Sequence, residues 1–356
     1  MTRHMLTLVS LIVTCAALAL ASWTAAQETE RGEVRIGAYY FDGWAGPNHV
    51  TKRLAAEFTD REPIWGWRDD SLAIMERQID LAADHGLSFF AFCWYWHDDG
   101  QAINRQAIAD EPLHRGMELF LEARNRDRME FCLLVANHRG YEIKGTEAWK
   151  QAADFWMPYL KSPQYLTMDG KPLVIIFNSA GGDREGFAYL QEAARKAGLP
   201  GVAIAACGNG LPELGYTHRT HYNIVPGYTA GAEAHKYAEL TAAHVAEWRG
   251  SKEQPYLPEV TAGWDARPWE GPQGLGKDPG WYFPDRTPEQ FAATLREAIA
   301  WVDGHADETN SERTILVYAW NEFGEGGYIA PTKGDPEGKY LKALQSVVKE
   351  ANGRRR

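Results

Sequence analysis

The chain has 356 residues, with 48 Asp and Glu against 37 Lys and Arg and a formal net charge of −11. An acidic balance without a basic cluster weighs against a nucleic-acid partner or an anionic membrane surface. The length suits one large α/β barrel domain, which takes about 250 residues plus insertions.

Residues 1–26 read as an export signal. Arg3 gives a positive start, Leu6–Leu20 is almost uninterrupted apolar sequence, and Thr24-Ala25-Ala26 supplies small residues for cleavage before Gln27. The run is short for a membrane span and a polar segment follows it, so no stable membrane insertion is expected once it is cleaved. Cleavage would remove Arg3, taking the net charge from −11 to −12, and would leave residues 27–356 as the barrel domain of a periplasmic or secreted protein. Cys15 lies in the signal. Cys93, Cys132 and Cys207 each sit in an apolar run, an odd number that reads as buried thiols rather than a disulfide framework.

From Val34 onward short apolar runs alternate with longer amphipathic ones. Strands are expected at Val34–Tyr40, Ser88–Tyr95, Phe131–Ala136, Leu173–Phe177, Val202–Cys207, Tyr222–Pro226, Tyr256–Thr261 and Thr314–Ala319. Helical patterns fall at Asp70–His85, Leu113–Arg126, Thr146–Leu160, Arg184–Ala197, Ala232–Trp248, Pro288–Val302 and Lys339–Glu350. Eight strands with intervening helices predict an α/β fold, a single (β/α)8 TIM barrel, with an open doubly wound sheet as the alternative. The fifth crossover, Gly208–His221, is short and glycine-rich, which predicts a rudimentary helix there. Pro255–Asp285 is the longest irregular stretch and reads as a rim loop.

A barrel places chemistry where its strands end. Those exits carry Tyr40, Asp42 and Trp44 after the first strand, and Trp94, Trp96 and His97 after the second. Asn137 and His138 follow the third, Asn178 the fourth, Tyr228 the sixth, Trp264 and Asp265 the seventh, and Trp320, Asn321 and Glu322 the eighth. The opposite rim offers little of comparable chemistry.

The segment Thr314–Pro331 is the most informative. An apolar β-branched run breaks into Trp320-Asn321-Glu322-Phe323-Gly324-Glu325-Gly326-Gly327. Two carboxylates three residues apart at the mouth of a buried strand are costly unless something uses them. Aromatics stack on the C–H faces of pyranose rings, amides and carboxylates bind the hydroxyl edges, and a glycosidic bond needs two carboxyl groups in different protonation states. Glu322 and Glu325 are therefore the candidate catalytic pair, and an oligo- or polysaccharide the expected partner. Asp265 has a competing use, pairing with Arg267 in a loop turn. His97 beside Asp98 and Asp99 is not a metal template, and no phosphate loop or dinucleotide fingerprint is present, so no cofactor is expected.

These residues resemble the glycoside hydrolase family 99-like group, which overlaps the WbsX-type proteins of polysaccharide gene clusters. The resemblance rests on Ile36–Tyr40, Gly86–Phe92 leading into Trp94-Tyr95-Trp96, Phe131–Leu134 with Ala136-Asn137-His138, Tyr165-Leu166 with Asp169–Pro172, Gly263-Trp264-Asp265, and above all Trp320-Asn321-Glu322 through Glu325-Gly326. It implies a (β/α)8-barrel, endo-acting α-mannosidase or mannanase that retains anomeric configuration. It further implies that Glu322 takes the proton of the sugar 2-hydroxyl, forming a 1,2-anhydro intermediate, while Glu325 is the general acid/base. Two positions depart from the family pattern: Ala330 stands before Pro331 where an acidic residue is usual, and Gly324 replaces a bulkier side chain. Glycosyl transfer in polysaccharide assembly and non-catalytic glycan binding are the competing readings.

Overall fold

The computed structural model describes residues 32–46, 48–49, 51–250, 253–270, 278–309 and 312–353. The export signal expected at 1–26 lies outside the described residues.

Eight parallel strands form the barrel wall: β1 (Arg35–Tyr40), β2 (Phe89–Trp94), β3 (Glu130–Val135), β4 (Lys171–Ile176), β5 (Ala203–Cys207), β6 (His218–Thr220), β7 (Glu259–Thr261) and β8 (Thr314–Tyr318). Hydrogen bonding runs β6-β5-β4-β3-β2-β1-β8-β7, with Gly37 opposite Phe89, Leu133 opposite Val174 and Arg35 opposite Thr314. Between β6 and β7 the ladder thins to one bridge, Arg219 to Tyr256, where Arg219 N donates to Pro255 O (2.9 Å) and Leu257 N donates to Arg219 O (2.8 Å). The sheet is thus nearly closed, and the alternative of an open doubly wound sheet is set aside.

Seven main helices flank it: α1 (Leu72–Asp84), α2 (Arg115–Glu122), α3 (Thr146–Leu160), α4 (Arg184–Lys196), α5 (Tyr237–Arg249), α6 (Pro288–Gly304) and α7 (Lys339–Gly353). Their starts have local causes. Asp183 accepts from Gly186 N at the head of α4, and Thr287 accepts from Gln290 N at α6, where Pro288 occupies the first helical position. The β5–β6 crossover holds only the 3-10 turn Pro212–Leu214.

One strand differs from expectation. The sixth is His218–Thr220, and Tyr222–Pro226 is the loop that leaves it. The apolar run Ile224-Val225 attracts a strand reading, yet the polar triplet before it makes the ladder. Thr220 turns its hydroxyl to Leu257 O (2.9 Å), and Arg219 sends its guanidinium to Gly208 O (2.9 Å) and Glu247 (3.4 Å). Polar side chains satisfied in this way belong in a strand as readily as apolar ones. The reassignment places Tyr222, rather than Tyr228, two residues beyond the end of β6. Cys93 and Cys132 are buried and Cys207 partly so, all as free thiols.

Candidate active site

Beyond β8 the chain turns into a small hairpin in which Asn321–Glu322 pairs antiparallel with Gly327–Tyr328. Glu325 N donates to Glu322 O (3.2 Å) across its turn. The hairpin is tied down on every side. Trp320 N donates to Tyr39 O (2.8 Å), prolonging the barrel ladder. The Asn321 amide both accepts from Phe41 N and donates to Phe41 O, each at 2.8 Å. Two arginines hold it from beneath. Arg61 donates to Phe323 O (3.1 Å) and Asp265 O (3.0 Å), and Arg286 donates to Tyr328 O (3.1 Å) and Ala262 O. Asp265 N donates to Glu325 O (2.6 Å). Two glycines are required by close approach: a Cβ on Gly327 would lie 2.1 Å from the Tyr318 ring, and one on Gly324 2.0 Å from the Trp269 indole.

Each acid has its own tyrosine. The Tyr222 hydroxyl donates to Glu322 Oε1, and the Tyr318 hydroxyl donates to Glu325 Oε2. The two phenol rings meet edge to face with centroids 5.0 Å apart. Glu322 is only 3 % exposed, and its Oε2 has no hydrogen-bond partner among the described residues. Burial, and next the negative charge of Glu325, push the Glu322 carboxyl well above the usual carboxylate range, while the Tyr222 hydrogen bond opposes the rise. Burial also raises both phenols, with the neighbouring acids adding to it, so both tyrosines remain neutral donors. Each acid feels the other's charge, so ionising one disfavours ionising the other.

Aromatic rings run across the barrel mouth through this pair. Tyr228 packs on Trp264 (5.8 Å), Trp264 on Tyr318 (6.2 Å), Tyr222 on Phe177 (5.3 Å), Phe177 on His138 (5.7 Å), and His138 on Tyr141 (5.4 Å) and Tyr95 (5.8 Å). Tyr228 is 51 % exposed, and beside it lies a cavity of about 250 Å³ lined by Tyr228, Thr229, Ala266, Glu270, Asp278 and Pro279.

Of the residues singled out in the sequence, the mouth gathers Glu322, Glu325, Tyr228, Trp264 and His138. His97 reaches its edge, exposed, with Nδ1 2.9 Å from Gly140 O and its ring against Tyr141. Asn137 and Asn178 frame the rim by pairing with each other: the Asn137 amide donates to Asn178 O (2.9 Å) and accepts from Asn178 N (2.8 Å). Trp96 is buried next to Tyr95.

Others serve the layer outside the wall. Tyr40 donates to Gln78 on α1 (3.2 Å), and Trp320 donates to the same oxygen. Trp94 packs on Trp156, Phe155 and His114. Asp42 accepts from Gly116 N (2.8 Å) at the start of α2. Trp44 lies among Phe41, Trp67, Trp269 and Phe323. Asp265 is held by Arg61 and Arg267. Burial opposes its charge, but the two guanidiniums keep its carboxyl below the usual range. Its competing use as an arginine partner is the one adopted.

The residues that sequence reasoning missed are Tyr222, Tyr318, Tyr39 and Tyr95. Strand alternation was the available signal. Neighbouring residues of a strand face opposite ways, so of Tyr39 and Tyr40 only one can face the barrel interior. It is Tyr39, whose ring meets Tyr222 at 4.8 Å.

Comparison with known proteins follows the same lines. The family model described as Glycosyltransferase WbsX matches residues 68–344. Two curated relatives, both uncharacterized proteins named WxcX from Xanthomonas campestris pv. campestris (strains B100 and ATCC 33913), are 22 % identical over 290 residues, covering 72 % of this chain and 39 % of theirs. The chain therefore spans well under half the length of these relatives. Among solved structures, the family 99 endo-α-mannosidase of Bacteroides thetaiotaomicron in complex with bis-tris-propane superposes with a TM-score of 0.61 at 15 % identity, covering 90 % of this chain and 98 % of that one. A second structure of a family 99 endo-α-mannosidase from the same organism gives 0.59 at 16 %, again over 90 % and 98 %. A glycoside hydrolase-like protein gives 0.58 at 14 %, over 90 % and 95 %. At these identities the likeness is one of fold, and the shared fold is the (β/α)8 barrel.

Proposed function

The chain belongs to the WbsX family, whose model carries a glycosyltransferase description, and from the pocket around Glu322 and Glu325 we propose that it is a glycoside hydrolase cleaving an α-linked glycan. The observation that carries this reading is the acid pair itself. Two carboxyl groups on one hairpin, each hydrogen-bonded by a separate tyrosine, lie among the aromatic rings of the barrel mouth. The barrel fold it shares with family 99 enzymes supports the choice of reaction and of a mannose-type sugar.

In the proposed reaction Glu322 is the base and Glu325 the acid. Glu322 takes the proton of the sugar 2-hydroxyl as that oxygen closes on C1. The C1–O bond to the leaving sugar breaks, and Glu325 delivers its proton to the departing oxygen. Water then enters: Glu325 takes its proton, the hydroxide opens the 1,2-anhydro ring at C1, and Glu322 returns its proton to O2. Two inversions at C1 amount to retention. A sugar hydroxyl is a weak acid, so a carboxylate of ordinary basicity is poorly matched to it. Burial beside a second acid narrows the gap by raising the affinity of Glu322 for a proton, and the step requires that, with sugar bound, Glu322 is ionised and the proton is on Glu325. Its unpartnered Oε2 is the atom available to the 2-hydroxyl.

The family description favours a second reading in which the same pair passes the glycosyl group to a sugar hydroxyl instead of water. The proposed place of action is outside the cytoplasm, on the strength of residues 1–26.

Incubation with α-mannans and other bacterial or algal polysaccharides, followed by product and anomer analysis, tests the reading. Glu322→Gln and Glu325→Gln are each expected to lose turnover by about 10²–10⁴-fold while keeping ligand affinity. Longer rather than shorter products would favour transfer. Full turnover in either variant would remove the proposed mechanism.

A further inference from the structure

Far from the acid pair, α5 and β7 bury a histidine and a carboxylate with no solvent exposure at all: His244 Nδ1 lies 3.1 Å from Glu259 Oε1. Burying such a pair is costly, and apolar residues of similar volume would pack there at least as well. The mechanism above uses neither residue. Their reach explains their presence. The second oxygen of Glu259 accepts from the Tyr256 hydroxyl (2.7 Å), which in turn lies 2.9 Å from His221 Nδ1. The other ring nitrogen of His244 lies 3.0 Å from Asn223 Oδ1. The carboxylate thus reaches His221 by hydrogen bonds through one oxygen, while His244, whose Nδ1 also lies 3.3 Å from Glu259 O, reaches Asn223, so the pair ends on the two residues that flank Tyr222.

That flank needs holding. The β6 ladder stops at Thr220, and among the described residues no backbone–backbone hydrogen bond joins residues 221–225 to the rest of the barrel. Side chains do the work instead. The Tyr39 hydroxyl donates to His221 O (2.8 Å), and Ile224 N lies 3.4 Å from His244 Nε2. Tyr222 is the residue whose hydroxyl donates to Glu322. We infer that the buried His244–Glu259 pair is a positioning device that fixes Tyr222, and through it the hydrogen bond to Glu322. The catalytic consequence rests on Glu322 being a reacting group, as proposed above; the geometric one does not.

The groups facing Glu322 are Tyr222 from the β6 loop, Cys93 and Tyr95 from β2 and its exit, Tyr318 from β8, and Glu325 from its own hairpin. Of these, Tyr222 stabilises the ionised form of Glu322 by donating to it, and loosening that donor shifts the Glu322 titration to higher pH.

The test is a double-mutant cycle read on that titration. The full chain is labelled with carboxyl-¹³C glutamate, and the Glu322 signal is assigned by its loss in Glu322→Gln. Tyr222→Phe is one arm. The double replacement His244→Leu with Glu259→Met is the other, since it removes both polar partners without stranding one and its fold can be verified by thermal melting. Each arm is expected to raise the Glu322 midpoint, and the combination to raise it no further than Tyr222→Phe alone. In turnover, the apolar pair should lower kcat about tenfold with KM changed less than about twofold, again with no added loss on Tyr222→Phe. The inference is overturned if the apolar pair leaves the midpoint where it was, if the two shifts add, or if Tyr222→Phe itself moves nothing. The midpoint cycle needs no turnover, so an inert wild-type protein would end the hydrolase reading and leave this result standing.

Discussion

The indole nitrogen of Trp320 donates to Gln78 Oε1 across 2.7 Å, although 242 residues separate them. The same oxygen accepts from the Tyr40 hydroxyl (3.2 Å), and the Gln78 amide nitrogen donates to Asp69 Oδ1 (3.4 Å). One fully buried side chain on α1 thus joins the exits of β1 and β8, directly behind the hairpin that carries the acids.

Gln78→Leu keeps the shape and removes these bonds. It leaves a buried indole N–H and a buried phenol without acceptors, which costs about 2–4 kcal/mol for the two groups. Urea unfolding should show that loss as a lower midpoint at unchanged slope. Because Trp320 precedes Glu322 by two residues, turnover should also fall. A variant as stable as the wild type would mean that the Gln78 hub is not what anchors this segment.

Asp69 gives the same hub a pH dependence. Burial pushes its carboxyl up to about 7, against the nearby Trp65 indole and the hydrogen bond from Gln78, which lower it. An acid raised in the folded state binds more protons there than in the unfolded chain, so its ionisation weakens the fold as pH climbs from about 4 through about 7. Asp69→Asn should therefore stabilise the protein at pH 8, by up to about 4 kcal/mol, and leave stability at pH 4 nearly unchanged. Thermal melts of both proteins across that range check the sign. A variant less stable at pH 8 than at pH 4, relative to wild type, would show that the ionised carboxylate is needed.

The barrel was legible because six of its strands are largely apolar runs long enough to stand out, and most of the helices between them carry amphipathic patterns. His218–Thr220 was not, since a strand of polar residues is recognisable only once its partners are known. That error hid Tyr222. The candidate acids were legible because charge set among glycines and aromatics at a strand exit is too costly to persist unused. Their tyrosine partners were not: Tyr318 sits inside the run read as buried core, and nothing local distinguishes a phenol that donates to an acid from one that merely packs. The same blindness made Tyr40, Trp94 and Trp320 look like pocket residues, when their contacts are with the helix layer.

Tyr318 and Gly327 form one unit. Tyr318→Phe removes the donor to Glu325 while keeping the ring, and Gly327→Ala places a methyl group where that ring lies. Each should lower kcat by about ten- to a hundredfold, the range expected for loss of one hydrogen bond to a reacting charged group. The combined variant should be little worse than the poorer single one, because both act on the same bond. Strictly multiplicative losses in kcat would show that Gly327 matters for another reason.

Gly324 and Trp269 are similarly matched, and here the readout is stability. The Trp269 indole occupies the space that a side chain on Gly324 would need, and it is pinned there by Phe41 and Trp44. Gly324→Ala should cost about 1–3 kcal/mol by overpacking. Trp269→Ala should cost more, about 3–5 kcal/mol, if its buried area is lost without collapse. Gly324→Leu with Trp269→Ala exchanges volume between the two positions and should recover part of that loss, a favourable coupling measurable by denaturant unfolding of the singles and the pair. Recovery would identify Trp269 as the residue that fills the space a side chain at position 324 would take. Additive losses would instead assign the indole to the Phe41–Trp44 cluster alone.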